Sequence, residues 1–315
     1  MIGFAKRNLL VFFKDRTAVF FSLLSVFIII GLYALFLGDV WVDNFQGMSG
    51  VRYLMDSWIM AGLLAVTSIT TTMGAFGIMV DDKVRKIDKD IASSPLKRSS
   101  IAGGYVFSSF IIGVIMSFIT LVLAEFYVLL NGGELMTFST LCKVAALVLL
   151  STFTNTSIVY FLVSFFSSPN AFATASTIIG TLIGFLTGIY LPIGELPAAV
   201  QWVMKLFPFS HSAALFRQVM MADPIAKAFA GAPAEELQSF KEFMGGRLQI
   251  WGHGSNAHAE HRLFDPHECF ILWPVGFKAF KEAQPLSMSG RLHYKRQDQL
   301  GSCLSLFFPA NQQIL

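Results

Sequence analysis

From Ala18 to Leu37 the chain runs for twenty residues without one charged side chain. At 1.5 Å per residue a helix of that length reaches roughly 30 Å, the thickness of a bilayer's hydrocarbon core. Four more such runs follow, from about Ser57 to Val80, Ile101 to Ala124, Val144 to Phe166 and Ala171 to Leu191, with the charges gathered in short blocks between them. A water-exposed surface rarely tolerates that spacing, and a composition of 54% hydrophobic against 14% charged residues lies far from the soluble balance. The pattern predicts an all-α integral membrane protein, a polytopic helical bundle whose transmembrane domain is five helices over 18–191.

Lysine and arginine are retained on the cytoplasmic side, so their placement predicts orientation. The N-terminal segment holds Lys6, Arg7, Lys14 and Arg16, and the loop after the second run holds Lys83, Arg85, Lys86, Lys89, Lys97 and Arg98. The alternate loops hold only Arg52 and Lys143. The N-terminus and the 81–100 loop therefore face the cytoplasm of a multi-pass protein of the cell membrane. The first run lacks a small-residue cleavage site and reads as a retained helix, not a secretory signal. Residues 1–17 set Ile2, Ala5, Leu9, Phe12 and Phe13 on one helical face and Arg7, Asn8, Lys14 and Asp15 on the other, which suits an interfacial helix on the inner leaflet or a plain basic anchor.

Several function classes find no support. A net charge of +3 carried beside apolar runs makes no case for nucleic acid. Cys142, Cys269 and Cys303 form neither a disulfide framework nor a zinc site, and the histidines at 258 and 261 do not have the spacing of HExxH, so no metal is expected. No GxSxG element or nucleophile and base pair is present, so no catalytic residue is assigned. The chain also contains no Gly-Lys dipeptide, which rules out a GxxxxGK[ST] phosphate loop in it.

Four features could carry function. In the 81–96 loop Val84, Ile87 and Ile91 recur at i, i+3 and i+7 before Pro95, which predicts a short helix with a docking stripe beside Lys83, Arg85 and Lys86; a solvated loop that only fixes topology is the alternative. Gly180, Gly184 and Gly188 would leave a flat strip for helix packing, or face lipid. Thr70 and Thr71 with Thr154 and Asn155 are a candidate polar translocation path, or bonds between helices. Glu125, near the outer end of the third run, is either a functional carboxylate or a hydrated interfacial one.

After Leu191 come Pro192, Gly194 and Pro197, then Leu196, Val200, Val203, Met204 and Phe207 at helical spacing before Pro208. They predict an amphipathic helix on the outer surface or a re-entrant one, and 192–245 reads as an extracytoplasmic segment with short helices. From about residue 246 periodicity is lost and five of the six histidines occur. No sixth span can be drawn there, and 246–315 reads as an atypical tail, non-native or disordered.

Three stretches carry a family resemblance. RNLLVFFKDRTAVFFSLLSVFIIIGLYALFLG, DDKVRKIDKDIASSPLKRSSIAGGYVFSS and GIYLPIGELPAAVQWVMKLFPFSHSAALFRQVM are similar to the ABC-2 type permease family, the membrane subunits of bacterial ABC exporters; Pro192, Leu196, Pro197, Pro208, His211 and Arg217 fall where that pattern has them. The resemblance covers about 1–245, and where the family has six spans this chain shows five. It implies a homodimer or heterodimer of permeases in the bilayer, coupled through the 81–96 helix to an ABC ATPase subunit. That subunit would hold the ATP and Mg, and this chain would bind no cofactor. Such an exporter would move a drug-like, lipid or glycan substrate outward. The same helices could instead serve an assembly or immunity protein without transport activity.

Overall fold

The computed structural model describes residues 1–38, 50–166, 168–230 and 233–246; the reading of the 246–315 tail therefore lies almost wholly outside the described residues, as do Cys269 and Cys303. The described chain is helical, and five of its helices are long and apolar enough to cross a membrane. Helix α1 (Ile2–Lys14) is followed at once by α2 (Arg16–Leu32), which continues as a π-helical turn over Tyr33–Leu37. Asp15 makes the break: it leaves the helical region, and its side chain accepts the Ala18 N–H at 3.0 Å to cap α2. Helices α3 (Val51–Val84), α4 (Ile87–Ser93), α5 (Arg98–Leu130), α6 (Phe138–Ser164) and α7 (Pro169–Leu186) come next. Then follow α8 (Ala198–Leu206), α9 (Pro208–Met220), α10 (Ala222–Ala228) and α11 (Ala234–Phe243).

Helix α3 is the hub, buried along most of its length against α2, α5, α6, α7 and α9. Its core residues include Leu54, Trp58, Leu63, Phe76 and Val80. By contrast α2 and α7 are peripheral and leave Phe20, Phe21, Ile28, Ile178 and Leu182 exposed, the apolar coat expected of a surface that meets lipid. Helix α3 runs well beyond the expected Ser57–Val80 at both ends. Its terminal charges can stay helical because they are paired: Arg52 sits 3.5 Å from Asp56, and Asp82 meets Arg7.

Three boundaries differ from the sequence expectation. Helix α1 buries Ala5, Asn8 and Phe12, so Asn8 lies on the inner face, while Ile2 and Phe13 are exposed; Asn8 can be buried because its amide donates to Ser108 Oγ at 3.3 Å. Helix α7 stops at Leu186, five residues short of the expected end. There Gly188 takes a left-handed φ of +64° and turns the chain back toward a 3₁₀ turn at Ile193–Glu195. Finally, α9 is a separate buried helix. Pro208 opens it at its first turn, where a missing N–H is harmless. At thirteen residues it spans about 20 Å and cannot cross the bilayer. It inserts among α3, α6 and α7 at the end of the bundle that α7 reaches last.

Candidate functional site

At the end of the bundle where α3 meets α5, the chain makes a hairpin instead of one continuous helix. Helix α3 ends at Val84, Lys86 adopts a left-handed φ of 61°, and α4 starts at Ile87. Asp88 and Asp90 lie in its first turn, where carboxylates favour the helix dipole. Ser94 then takes an extended conformation ahead of Pro95, and its hydroxyl bonds back to the Ile91 carbonyl at 2.5 Å to close the helix. The predicted stripe is thereby divided. Val84 is exposed on the last turn of α3, while Ile87 and Ile91 sit one turn apart on α4, with Ile91 packed toward the bundle core. Arg85, Lys86 and Lys89 are exposed and Lys83 is half-buried.

Behind the hairpin lies a buried polar clamp that spacing along the chain does not reveal. Asp82, with its side chain 4% exposed, receives Arg7 Nη1 at 2.5 Å and Nη2 at 2.9 Å, and Tyr105 donates its hydroxyl at 2.7 Å. A carboxylate in the last turn of a helix opposes the carbonyl dipole, and a buried one needs a partner. The fork of Arg7 meets both needs, and the hydrogen bond to Asp82 in turn holds the Arg7 pKa above its ordinary value. Phe4 packs edge-on to Tyr105 with centroids 4.9 Å apart, over Gly104, where a Cβ would lie 2.5 Å from the Phe4 ring. Together these contacts lock α1 onto the ends of α3 and α5, immediately before the hairpin.

Midway along the bundle, α3 and α6 are tied through Ser68. Its hydroxyl donates to the Ala65 carbonyl at 2.8 Å and accepts from Asn155 Nδ2 at 2.6 Å and Ser151 Oγ at 3.2 Å, which uses one proton and two lone pairs. Of the candidate path residues, Asn155 joins this bridge. Thr70, Thr71 and Thr154 instead return their hydroxyls to carbonyls one turn back, at 3.1, 2.7 and 3.0 Å. Thr71, Thr154 and Asn155 are all buried. Gly113 brings α5 against α6: a Cβ there would stand 2.7 Å from Thr152 Cγ2.

The opposite end is closed by α9. Arg217 is 1% exposed, and its Nη2 donates to the Thr187 and Gly188 carbonyls at 2.8 and 2.9 Å, so a cation caps the negative end of α7. The guanidinium lies over the Trp58 ring, 4.9 Å from its centroid, and Trp58 Nε1 donates to Met244 O at 2.8 Å. Ser210 Oγ donates to Leu186 O at 2.6 Å, and His211 Nε2 sits 2.8 Å from Lys205 O. Gly180, Gly184 and Gly188 do not form one strip within the chain. Gly180 faces open space, Gly184 is covered by the Tyr190 ring, and Gly188 belongs to the turn that Arg217 holds.

The described residues form an all-α polytopic bundle with five helices long and apolar enough to cross a membrane, the architecture of a multi-pass membrane protein. The family model described as ABC-2 type transporter matches residues 3–221. The chain belongs to that family and is the permease of an ABC transporter, a membrane transport domain that is not itself catalytic. Members of the family normally work with an ATPase subunit. No curated protein matches the chain.

Proposed function

We propose that this chain is the membrane-spanning half of an exporter that carries a drug-like, lipid or glycan substrate outward across the cell membrane, driven by ATP and Mg on a separate subunit. The observation that carries this reading is the Arg7–Asp82–Tyr105 clamp behind the hairpin. The clamp joins α1, α3 and α5, so under this proposal a push on α4 would be shared by three helices. In this reading the ATPase subunit docks on the surface formed by the exposed Val84, Arg85 and Lys86 and the half-buried Ile87, with Lys83 and Ile91 supporting it from the bundle side.

Closure of the ATPase pair would tilt the hub helix α3 and release α9 from the outer end. The N-terminus and hairpin are then cytoplasmic, and α8 to α11 lie outside. Two permeases, alike or different, would enclose the path, with the half-buried Thr70 beside it and the buried Thr71, Thr154 and Asn155 exposed to it only when α3 and α6 part at Ser68. Substitution Ile87→Asp places a charge in the docking surface without touching the clamp. It is expected to leave membrane insertion intact while ATP-driven export in vesicles and co-purification of the ATPase subunit both fall at least tenfold. Normal export with the ATPase subunit bound would overturn the docking assignment.

A further inference from the structure

Helix α1 climbs alongside the first half of α5 and does not lie across the end of the bundle. Phe4 packs over Gly104, the Asn8 amide reaches Ser108 Oγ at 3.3 Å, and Phe12 clusters with Ile112 and Met116 of α5 and Ala75 of α3. Four residues along α1 are matched by four along α5, so the two helices run in parallel register. Ile112 lies about 21 Å from Arg98 along α5, and a hydrocarbon core of about 30 Å centred on this roughly 50 Å helix begins about 10 Å from its end. The bend at Asp15 therefore stands among acyl chains, deeper than the Arg7–Asp82–Tyr105 clamp.

This bend carries charge where its surroundings are apolar. Lys14, Asp15 and Arg16 are all exposed. Leu10 and Val11, one turn before Lys14, are exposed too, as is Phe20 one turn after Arg16. The Asp15 carboxylate accepts the Ala18 N–H. Among the described residues neither Lys14 nor Arg16 has a side-chain hydrogen bond or ion pair. Two cations against one carboxylate leave one net positive charge facing lipid. An unpaired cation at that depth is costly, and an anion drawn to it, or a long side chain reaching toward the headgroups, relieves the cost.

We propose that the α1–α2 bend binds the phosphodiester of an inner-leaflet phospholipid through Lys14 and Arg16, with the acyl chains lying over Leu10, Val11 and Phe20. Depth and charge select this occupant. At the edge of the acyl region the anion within reach is lipid phosphate, and both cations can donate charge-assisted hydrogen bonds to its oxygens. A zwitterionic headgroup brings its own ammonium to compete for that phosphate, so a headgroup without a cation, such as phosphoglycerol, is preferred. The choice of leaflet rests on the proposed cytoplasmic N-terminus; the site itself does not. It is separate from the docking hairpin and independent of the exported substrate.

Thr17 is exposed beside the bend and offers a reporter position. The full chain, with Cys142, Cys269 and Cys303 replaced by serine and a small fluorophore on Thr17→Cys, is reconstituted in vesicles in which either phosphatidylglycerol or phosphatidylcholine carries brominated acyl chains. Both leaflets have the same composition, so the result does not depend on orientation, which cysteine accessibility tests separately. Phosphatidylglycerol is expected to reach half-maximal quenching at about fivefold lower membrane fraction than phosphatidylcholine, the effect of one net charge. Lys14→Gln with Arg16→Gln should abolish that preference and leave quenching by phosphatidylcholine unchanged, which shows that the bend keeps its depth. Lys6→Gln, which removes an exposed cation nearer the start of α1, should retain the preference. Equal quenching by the two lipids, or a preference that survives the double substitution, would mean unselective boundary lipid only. Loss with Lys6→Gln alone would mean general surface charge, and displacement of phosphatidylglycerol by inorganic phosphate would mean a site for free anions. Each of these outcomes overturns the proposal.

Discussion

Asp82 shows how one buried charge fixes a local architecture. Its three hydrogen bonds come from two other helices, 75 residues before it and 23 after it in the chain, so no window of sequence contains the arrangement. Removing Arg7 would leave the carboxylate buried with the Tyr105 hydroxyl alone. Orphaning a buried polar group costs about 1–3 kcal/mol, and more for a charge, and the partial exposure of Arg7 reduces that figure. Arg7→Ala is therefore expected to destabilise the folded chain by about 1–3 kcal/mol in a reversible detergent unfolding titration. Asp82→Asn should cost less because Tyr105 still has an acceptor. A double-mutant cycle between the two positions should give a favourable coupling of about 0.5–3 kcal/mol, and a coupling near zero would show that the clamp does not hold α1. Neither side chain was legible as a pair. The sequence showed Arg7 as a topology charge and Asp82 as one of several acids in a charged loop, because pairing between helices depends on packing that charge patterning does not encode.

At the scale of elements, the spans were readable and the joints were not. Lipid imposes length and apolarity on any helix that crosses it, so α2, α3, α5, α6 and α7 announce themselves as uncharged runs. Helix α9 is about two-thirds of the necessary length and carries Ser210, His211, Ser212 and Arg217, so it resembled part of an outer loop although nearly all of it is buried. The split between α3 and α4 was hidden for a different reason: Lys86 adopts a left-handed conformation that its residue type does not advertise. Two predictions follow from these joints. Gly113→Ala puts a methyl 2.7 Å from Thr152 Cγ2 and is expected to destabilise the α5–α6 crossing by about 1–3 kcal/mol, with Thr152→Ser, which deletes that methyl and keeps the hydroxyl, restoring most of the loss in a thermal unfolding series. Arg217→Ala leaves the Thr187 and Gly188 carbonyls without their donor, at about 1–3 kcal/mol. A cysteine introduced at the buried Ala213 should react with a membrane-impermeant maleimide only when Arg217→Ala is also present. Labelling of Ala213→Cys alone would mean that α9 is not seated as a plug.

Over the whole molecule, orientation decides which end can meet an ATPase subunit. Ten cationic residues lie in the N-terminal segment and the 81–100 loop, against one in each alternate connection. Cationic loops near span ends resist translocation, so this asymmetry is the ground for the proposed inward placement of the α1 clamp and the hairpin. In the proposed orientation, five spans from a cytoplasmic start would deliver α8 and α9 to the outside and put the Arg217 plug and the proposed docking hairpin on opposite faces, as the export reading requires. The arrangement is testable at two exposed residues, Lys89 on α4 and Glu195 in the turn before α8. In a chain with Cys142, Cys269 and Cys303 replaced by serine, Glu195→Cys should react with an impermeant maleimide in intact cells, and Lys89→Cys only after the membrane is permeabilised. The reverse pattern would put the hairpin out of reach of any nucleotide-hydrolysing partner and remove the basis for export. If both sites label in intact cells, α5 to α7 do not cross as three spans and the hub arrangement around α3 is wrong as well. The measurement therefore tests the bundle and the side on which the hairpin lies together, and only the first pattern is compatible with the proposed force at Ile87 opening the molecule at Arg217.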